Sequence, residues 1–170
     1  MLKSEKDKLL ASIFTSSPRL VNLWAKKANI VTNASTPWTT AADDILQGPI
    51  ALITTAGVHL IGQPPFDMDD PEGDASYREI PSSTPADALT ITHNYYDHRD
   101  ADADINVVLP IERLKDLEAE GFIGKIARRH FSFMGHILGS QLERLAGETA
   151  PAVAAELKRD GIRAVVLTPS

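Results

Sequence analysis

The sequence contains no cysteine at all. That excludes disulfides, cysteine-ligated zinc, iron–sulfur clusters and a thiol nucleophile within these residues. It also lacks a long apolar run: the longest stretches, such as Ala164 to Leu167, fall far short of the ~20 residues a spanning helix needs. There is no excess of basic charge either. Lys plus Arg number 17 against 23 Asp plus Glu, a net charge of −6, and such a surface repels phosphate backbones, so nucleic acid is not an expected partner. The first eight residues carry charges of both signs and no apolar core, which rules out a secretory signal there and makes a cytoplasmic protein the expectation. What is present is an ordinary globular composition, 43% hydrophobic and 24% charged over 170 residues. That length suits one full domain, which would bury about 70% of the surface its unfolded chain exposes.

Residues 3–14 carry Leu9, Leu10, Ile13 and Phe14 at helical spacing, and Ser17-Pro18 opens a second short helix through Trp24. Asn33 to Thr40 reads as a connector. The expected organisation is a helical arm and connector over 1–40 and an α/β domain over 41–170, with the arm as a candidate contact in a homo-oligomer. Ile50 to Thr55 is a β-branched, apolar run that suits a strand buried on both faces. Residues 62 to 87 hold five of the eleven prolines and the acids Asp67, Asp69, Asp70, Glu72 and Asp74, a long loop of the kind that is usually functional or disordered. Ala88 to His93 is a second strand, and Asn94 to Asp104 a polar loop. Pro110 opens a helix that closes at Gly121, and Lys125 to Ala127 is a weak strand. Helices follow around Leu138–Leu145 and Pro151–Lys158, and Ile162 to Leu167 is a last strand. Short strands alternating with helices predict an open, mainly parallel, doubly wound sheet with helices on both faces.

In such sheets ligands bind beyond the carboxyl ends of the strands. His59 and His93 follow strand candidates directly, and His130 follows a weaker one, so these rings are expected to gather on one rim. A neutral imidazole there can move a proton near pH 7 or ligate a metal, although no HxH or HExxH spacing supports a metal. Thr54-Thr55-Ala56-Gly57 resembles a turn that presents backbone N–H groups to an anion. Arg78, at the end of the acidic loop, is placed to clamp a substrate carboxylate. Ser132 has no GxSxG context, which argues against a serine hydrolase.

Four segments in order carry a resemblance: Ala51-Leu-Ile-Thr-Thr-Ala-Gly-Val-His-Leu60, Gly73-Asp-Ala-Ser-Tyr-Arg-Glu-Ile-Pro81, Asp104-Ile-Asn-Val-Val-Leu-Pro-Ile-Glu-Arg-Leu114 and His130-Phe-Ser-Phe-Met-Gly135. Over roughly residues 48–170 the chain resembles the selenoprotein B subunits of glycine, sarcosine, betaine and D-proline reductases, and most nearly the D-proline reductase form. The resemblance implies reductive cleavage of a C–N bond in an amino acid or its N-methylated derivative. It implies a partner subunit whose pyruvoyl group holds the substrate as an iminium, and a selenolate that attacks the α-carbon. In the family the selenocysteine, or a cysteine in its place, follows a strand resembling Ala164-Val-Val-Leu-Thr-Pro-Ser170. That nucleophile is therefore expected just after Ser170, and the residues given are expected to be inactive alone.

On this reading Thr55, Gly57, Arg78, Asn106, Glu112 and Arg113 line the substrate pocket. His59, His93 and His136 are the candidate catalytic histidines, with His59 or His93 giving a proton to the departing amine. Two alternatives stand beside it: a binding or assembly module that keeps the fold without catalysis, and a histidine-based metal-dependent lyase or hydrolase.

Overall fold

The computed structural model describes residues 38–169, residues 17–26, and the single positions Lys6, Leu9, Leu10 and Ile13. Of the expected helix over 3–14 only those four positions are described, each helical, and most of the connector over 33–40 lies outside the described residues. Two compact units divide the chain, one of residues 1–43 with Asn94–Asp97, the other of Asp44–His93 with His98–Ser170. In the first, helix α1 (Pro18–Ala25) starts where Ser17 accepts a hydrogen bond from the Leu20 N–H at 3.0 Å. Proline at its first position removes no helical hydrogen bond, because that N–H has no partner inside the helix.

The second unit is built on a mostly parallel sheet. Strand β1 (Pro49–Thr54) pairs in parallel along one edge with β7 (Ala164–Thr168), and along the other with β5 (Lys125–Ile126) and then β6 (Arg129–Ser132). Strand β3 (Arg78–Pro81) closes the far side, antiparallel to β6. A separate hairpin-like sheet joins β2 (Val58–Leu60) to β4 (Leu89–Ile91). The fold is α/β, as the alternation of strands and helices implies. The sheet is mainly parallel as expected, with β3 as its antiparallel strand, and the four residues of β3 were too short a run to be read as a strand from the sequence.

Successive residues of a strand face opposite sides. From β1, Ala51 and Ile53 join Phe131, Phe133 and Tyr77 under Val153 and Leu157 of helix α5 (Ala150–Arg159). Tyr77 meets both phenylalanine rings with centroids 5.9 Å away. Ile50, Leu52 and Thr54 face the other way and are equally buried. At the outer edge Val165, Val166 and Leu167 of β7 remain exposed, unlike Ile50 and Leu52 of β1.

Three local readings are corrected. The polar stretch 94–104 contains helix α2 (Arg99–Ala103), where Ala101 supplies the buried anchor. Helix α3 (Ile111–Ala119) begins just after Pro110 rather than around it. The two helices expected at 138–145 and 151–158 form one run: α4 (Gly139–Arg144), a widened π turn over Leu145–Thr149, then α5. Pro151 has no N–H to give the Gly147 carbonyl, and widening by one residue absorbs that loss.

The acidic loop is ordered by its own acids. Asp67, Asp70 and Asp74 accept hydrogen bonds from the N–H groups of Asp69, Glu72 and Ser76, each at 2.8 Å, which fixes three successive turns. Glu72 then accepts from the Ser140 N–H at 2.9 Å and the Ser140 hydroxyl at 2.6 Å, capping α4 from a distant segment.

Candidate functional site

The carboxyl ends of the parallel strands form one transverse row. Arg78 of β3 pairs with Ser132 of β6, Ser132 with Thr54 of β1, and Thr54 with Thr168 of β7. Thr168 is tied twice. Its carbonyl accepts from the Thr55 N–H at 3.1 Å and from the Thr54 hydroxyl at 3.2 Å. Its own hydroxyl donates to the Val108 carbonyl at 2.7 Å, which binds the segment before α3 to the same rim. Thr168 was not singled out from the sequence, Thr54 entered only as part of an anion-binding turn, and Ser132 only to argue against a serine hydrolase. The usable signal was their position as the last residues of parallel strands, where α/β sheets place ligands.

Beyond the row, the backbone turns sharply at Gly57, with φ +69°. Its N–H donates to the Phe133 carbonyl and its carbonyl accepts from the Thr92 N–H, both at 2.9 Å. A β-carbon there would lie 2.5 Å from the Thr92 carbonyl oxygen, so only glycine lets β1, β4 and the segment after β6 close together. This contact carries His93 to the rim. Its Nε2 accepts from the Gly135 N–H at 3.3 Å, which leaves the ring proton on Nδ1. Burial holds the ring neutral, with a pKa lowered to about 4, and the nearby charges of His136 and His98 push the same way.

The other candidates are spread around this centre. His136 lies one residue past Gly135, partly exposed, beside the Pro71 carbonyl at 3.3 Å. His59 sits within β2 rather than after it. Its Nδ1 donates to the Leu60 carbonyl, so Nε2 accepts from the Thr92 hydroxyl, both at 2.8 Å. Its ring meets Phe66 edge-on. His130 follows β5 as expected, but it lies buried inside β6 and not on the rim. Arg78 donates to the carbonyls of Pro64, Tyr77 and Pro65 and to the Ser76 hydroxyl at 2.8–3.0 Å. Asp74 lies 3.9 Å away and the guanidinium is stacked 4.3 Å over Phe66, so every donor is directed inside the chain.

Asn106, Glu112 and Arg113 gather at the start of α3. The Asn106 side-chain oxygen accepts from the Glu112 N–H at 3.1 Å, capping the helix, while its amide donates to Asp104 at 2.9 Å. Glu112 pairs with Lys115 and Arg113 with Asp116 along the helix surface, at 2.7 and 3.1 Å. Among the described residues no group of three or more His, Cys, Asp or Glu is placed to hold a metal ion, and no helix is long and apolar enough to cross a membrane.

A sheet of this kind, with strand ends, a glycine turn and a buried neutral histidine on one rim, defines an α/β domain whose rim lies where such sheets bind ligands. The chain belongs to the glycine/sarcosine/betaine reductase selenoprotein B family, whose model matches residues 24–170. It is 35% identical over 131 residues to the D-proline reductase subunit gamma of Acetoanaerobium sticklandii, covering 77% of this chain and 52% of that protein. It is 32% identical over 131 residues to the glycine reductase complex component B subunit gamma of Carboxydothermus hydrogenoformans, covering 75% of this chain and 29% of that one. To the sarcosine reductase complex component B subunit beta of Peptoclostridium acidaminophilum it is 30% identical over 134 residues, again with 75% and 29% coverage. The chain thus spans about half the length of the first of these relatives and under a third of the others. No solved structure gives a significant match.

Proposed function

We propose that this chain supplies the strand-end rim of a selenoprotein B-type reductase subunit, acting in thiol- or selenol-dependent reductive C–N cleavage of an amino acid of the D-proline, glycine, sarcosine or betaine class. The observation that carries this reading is the double tie of Thr168 to Thr54 and Thr55. It sets the carboxyl end of β7 beside the Gly57 turn, where a residue just beyond Ser170 would meet a ligand in the crevice. On this reading the nucleophile is a selenocysteine or cysteine following residue 170, and the electrophilic carbonyl is a pyruvoyl group on a partner subunit.

The rim residues suit a supporting part. Thr55 and the backbone around Gly57 would orient the substrate. His93 is neutral, so it would relay rather than store a proton. Asn106, Glu112 and Arg113 would border the site through the Val108–Thr168 contact. Arg78 would act through the loop it anchors, since its donors are already committed. The reading is tested by expressing the gene with the codons after 170 read through, together with the candidate partner subunit, and measuring dithiol-dependent loss of D-proline, glycine, sarcosine and betaine. Consumption of one of them supports the reading, with release of the amine from glycine, sarcosine or betaine, or with opening of the D-proline ring to 5-aminopentanoate. Failure to reduce any, with a cysteine or selenocysteine present after residue 170 and both subunits folded, rejects it and favours a binding or assembly role.

A further inference from the structure

At the amino end of the sheet, opposite the rim, lies an open cleft of about 650 Å³. Four cations line it, Lys125, Arg128, Arg129 and Arg159, against two carboxylates, Glu79 and Asp160. Both carboxylates are spent on Arg129, Glu79 at 2.8 Å and Asp160 at 2.7 Å. Arg129 also pairs with Glu156, which in turn holds Arg159. These contacts make a fixed ionic wall. Among the described residues the side chains of Lys125 and Arg128 make no hydrogen bond or close ion pair, Arg128 acting on Asp160 only through its longer-range charge, and Pro49, Pro81 and Ile162 add apolar lining.

The backbone explains the placement of Arg128. Between the pairs Ile50–Ile126 and Ile53–Phe131, β1 advances three residues while its partner advances five. The two extra residues form a bulge, a feature that re-aims side chains and recurs beside binding sites. Its carbonyl at Arg128 accepts from the Ser82 N–H at 2.9 Å, so the main chain there is held. With Glu156 counted among the carboxylates that hold Arg129 and Arg159, the cleft keeps an excess of one positive charge in a net-acidic chain, over an apolar lining that includes no aromatic ring.

We propose that this cleft binds a small aliphatic anion carrying two or more carboxylate or phosphate groups, with Arg128 and Lys125 as its charge partners. A guanidinium offers paired donors to either group and an ammonium a point charge, which together suit a multiply charged ligand. The inference is independent of the reductase reading, because the cleft shares no residue with the rim.

Calorimetric titration of the chain with citrate and, separately, with pyrophosphate tests it. Saturable 1:1 binding of at least one is expected, and the tighter of the two tells carboxylate from phosphate. The double variant Lys125→Ser/Arg128→Ser, changed only at exposed side chains, should bind about tenfold or more weakly, while Arg144→Ser on α4 should bind as the parent does. Absence of saturable binding to both anions, or equal loss in Arg144→Ser and the double variant, overturns the proposal. So does undiminished binding by a double variant whose thermal midpoint matches the parent.

Discussion

The Leu52 N–H donates to Nδ1 of His130 at 3.0 Å, across a gap in the β1–β6 ladder where a carbonyl would ordinarily accept. The imidazole fills the place that the two-residue bulge leaves open. With Nδ1 accepting, the ring proton sits on Nε2 and the ring donates to the Ser82 hydroxyl at 2.9 Å, which in turn donates a hydrogen bond to the Ala127 carbonyl. A single neutral side chain thus satisfies a buried backbone donor and joins β1, β6 and the turn after β3. Burial is the main reason the His130 pKa falls to about 4, with the charge of Lys115 adding to it.

His93 and His130 together predict the acid response. Both are neutral in the fold, with pKa values lowered to about 4, whereas an unfolded histidine titrates near 6.5. Between those values the unfolded chain binds the protons, so stability is full above about pH 6.5 and falls as the pH drops toward 4. The loss is up to about 3 kcal/mol per ring. Urea midpoints at pH 7, 5.5 and 4.5 should fall in that order. His130→Leu should lower stability at pH 7 by roughly 2–3 kcal/mol, by orphaning the buried Leu52 N–H and removing the ring's bond to Ser82, and should flatten the pH slope. A slope identical to the parent's would contradict the assignment.

Glycine substitutions should separate two causes. Gly57 and Gly121 both have positive φ, at +69° and +76°, but only Gly57 has a backbone oxygen where a β-carbon would go. Gly121→Ala should cost on the order of 1 kcal/mol, the conformational penalty alone. Gly57→Ala should cost several times as much, or abolish folding. Thermal unfolding of the two variants side by side makes the comparison.

Arg78 should govern the acidic loop. Replacing it by methionine removes the donors to Pro64, Pro65 and Ser76 and the stack on Phe66, while the strand pairing with Ser132 is a backbone matter. Limited proteolysis should then cut within residues 62–77 faster than in the parent, and Arg78→Lys should not restore protection, since an ammonium cannot reach three separate oxygens in a plane.

Asn106 is expected to matter as a cap. Asn106→Ala should destabilise the chain by about 1 kcal/mol through the lost bond to the Glu112 N–H. Asn106→Asp keeps the acceptor but replaces the amide that donates to Asp104 with a second carboxylate, so it should restore stability only at low pH, where one of the two carboxyls is protonated. A chemical denaturation series resolves the difference.

Much of this was legible from the amino acids alone. The apolar, β-branched run at 50–54 and the short run before Pro169 announced the two parallel strands, and the segments around Gly57, Arg78, Asn106 and Phe131 announced the family. Periodicity and turn residues are local properties, so these features survive in one dimension. Strand β3, the register of β6 and the bulge were hidden, because each is defined by a partner at least 45 residues away. For the same reason His59 and His130, read as strand-end groups, became a sheet-embedded ring and a ladder acceptor. Identical imidazoles are sorted into rim and interior by which donors reach them, and that is decided only when β1, β6 and β7 come together.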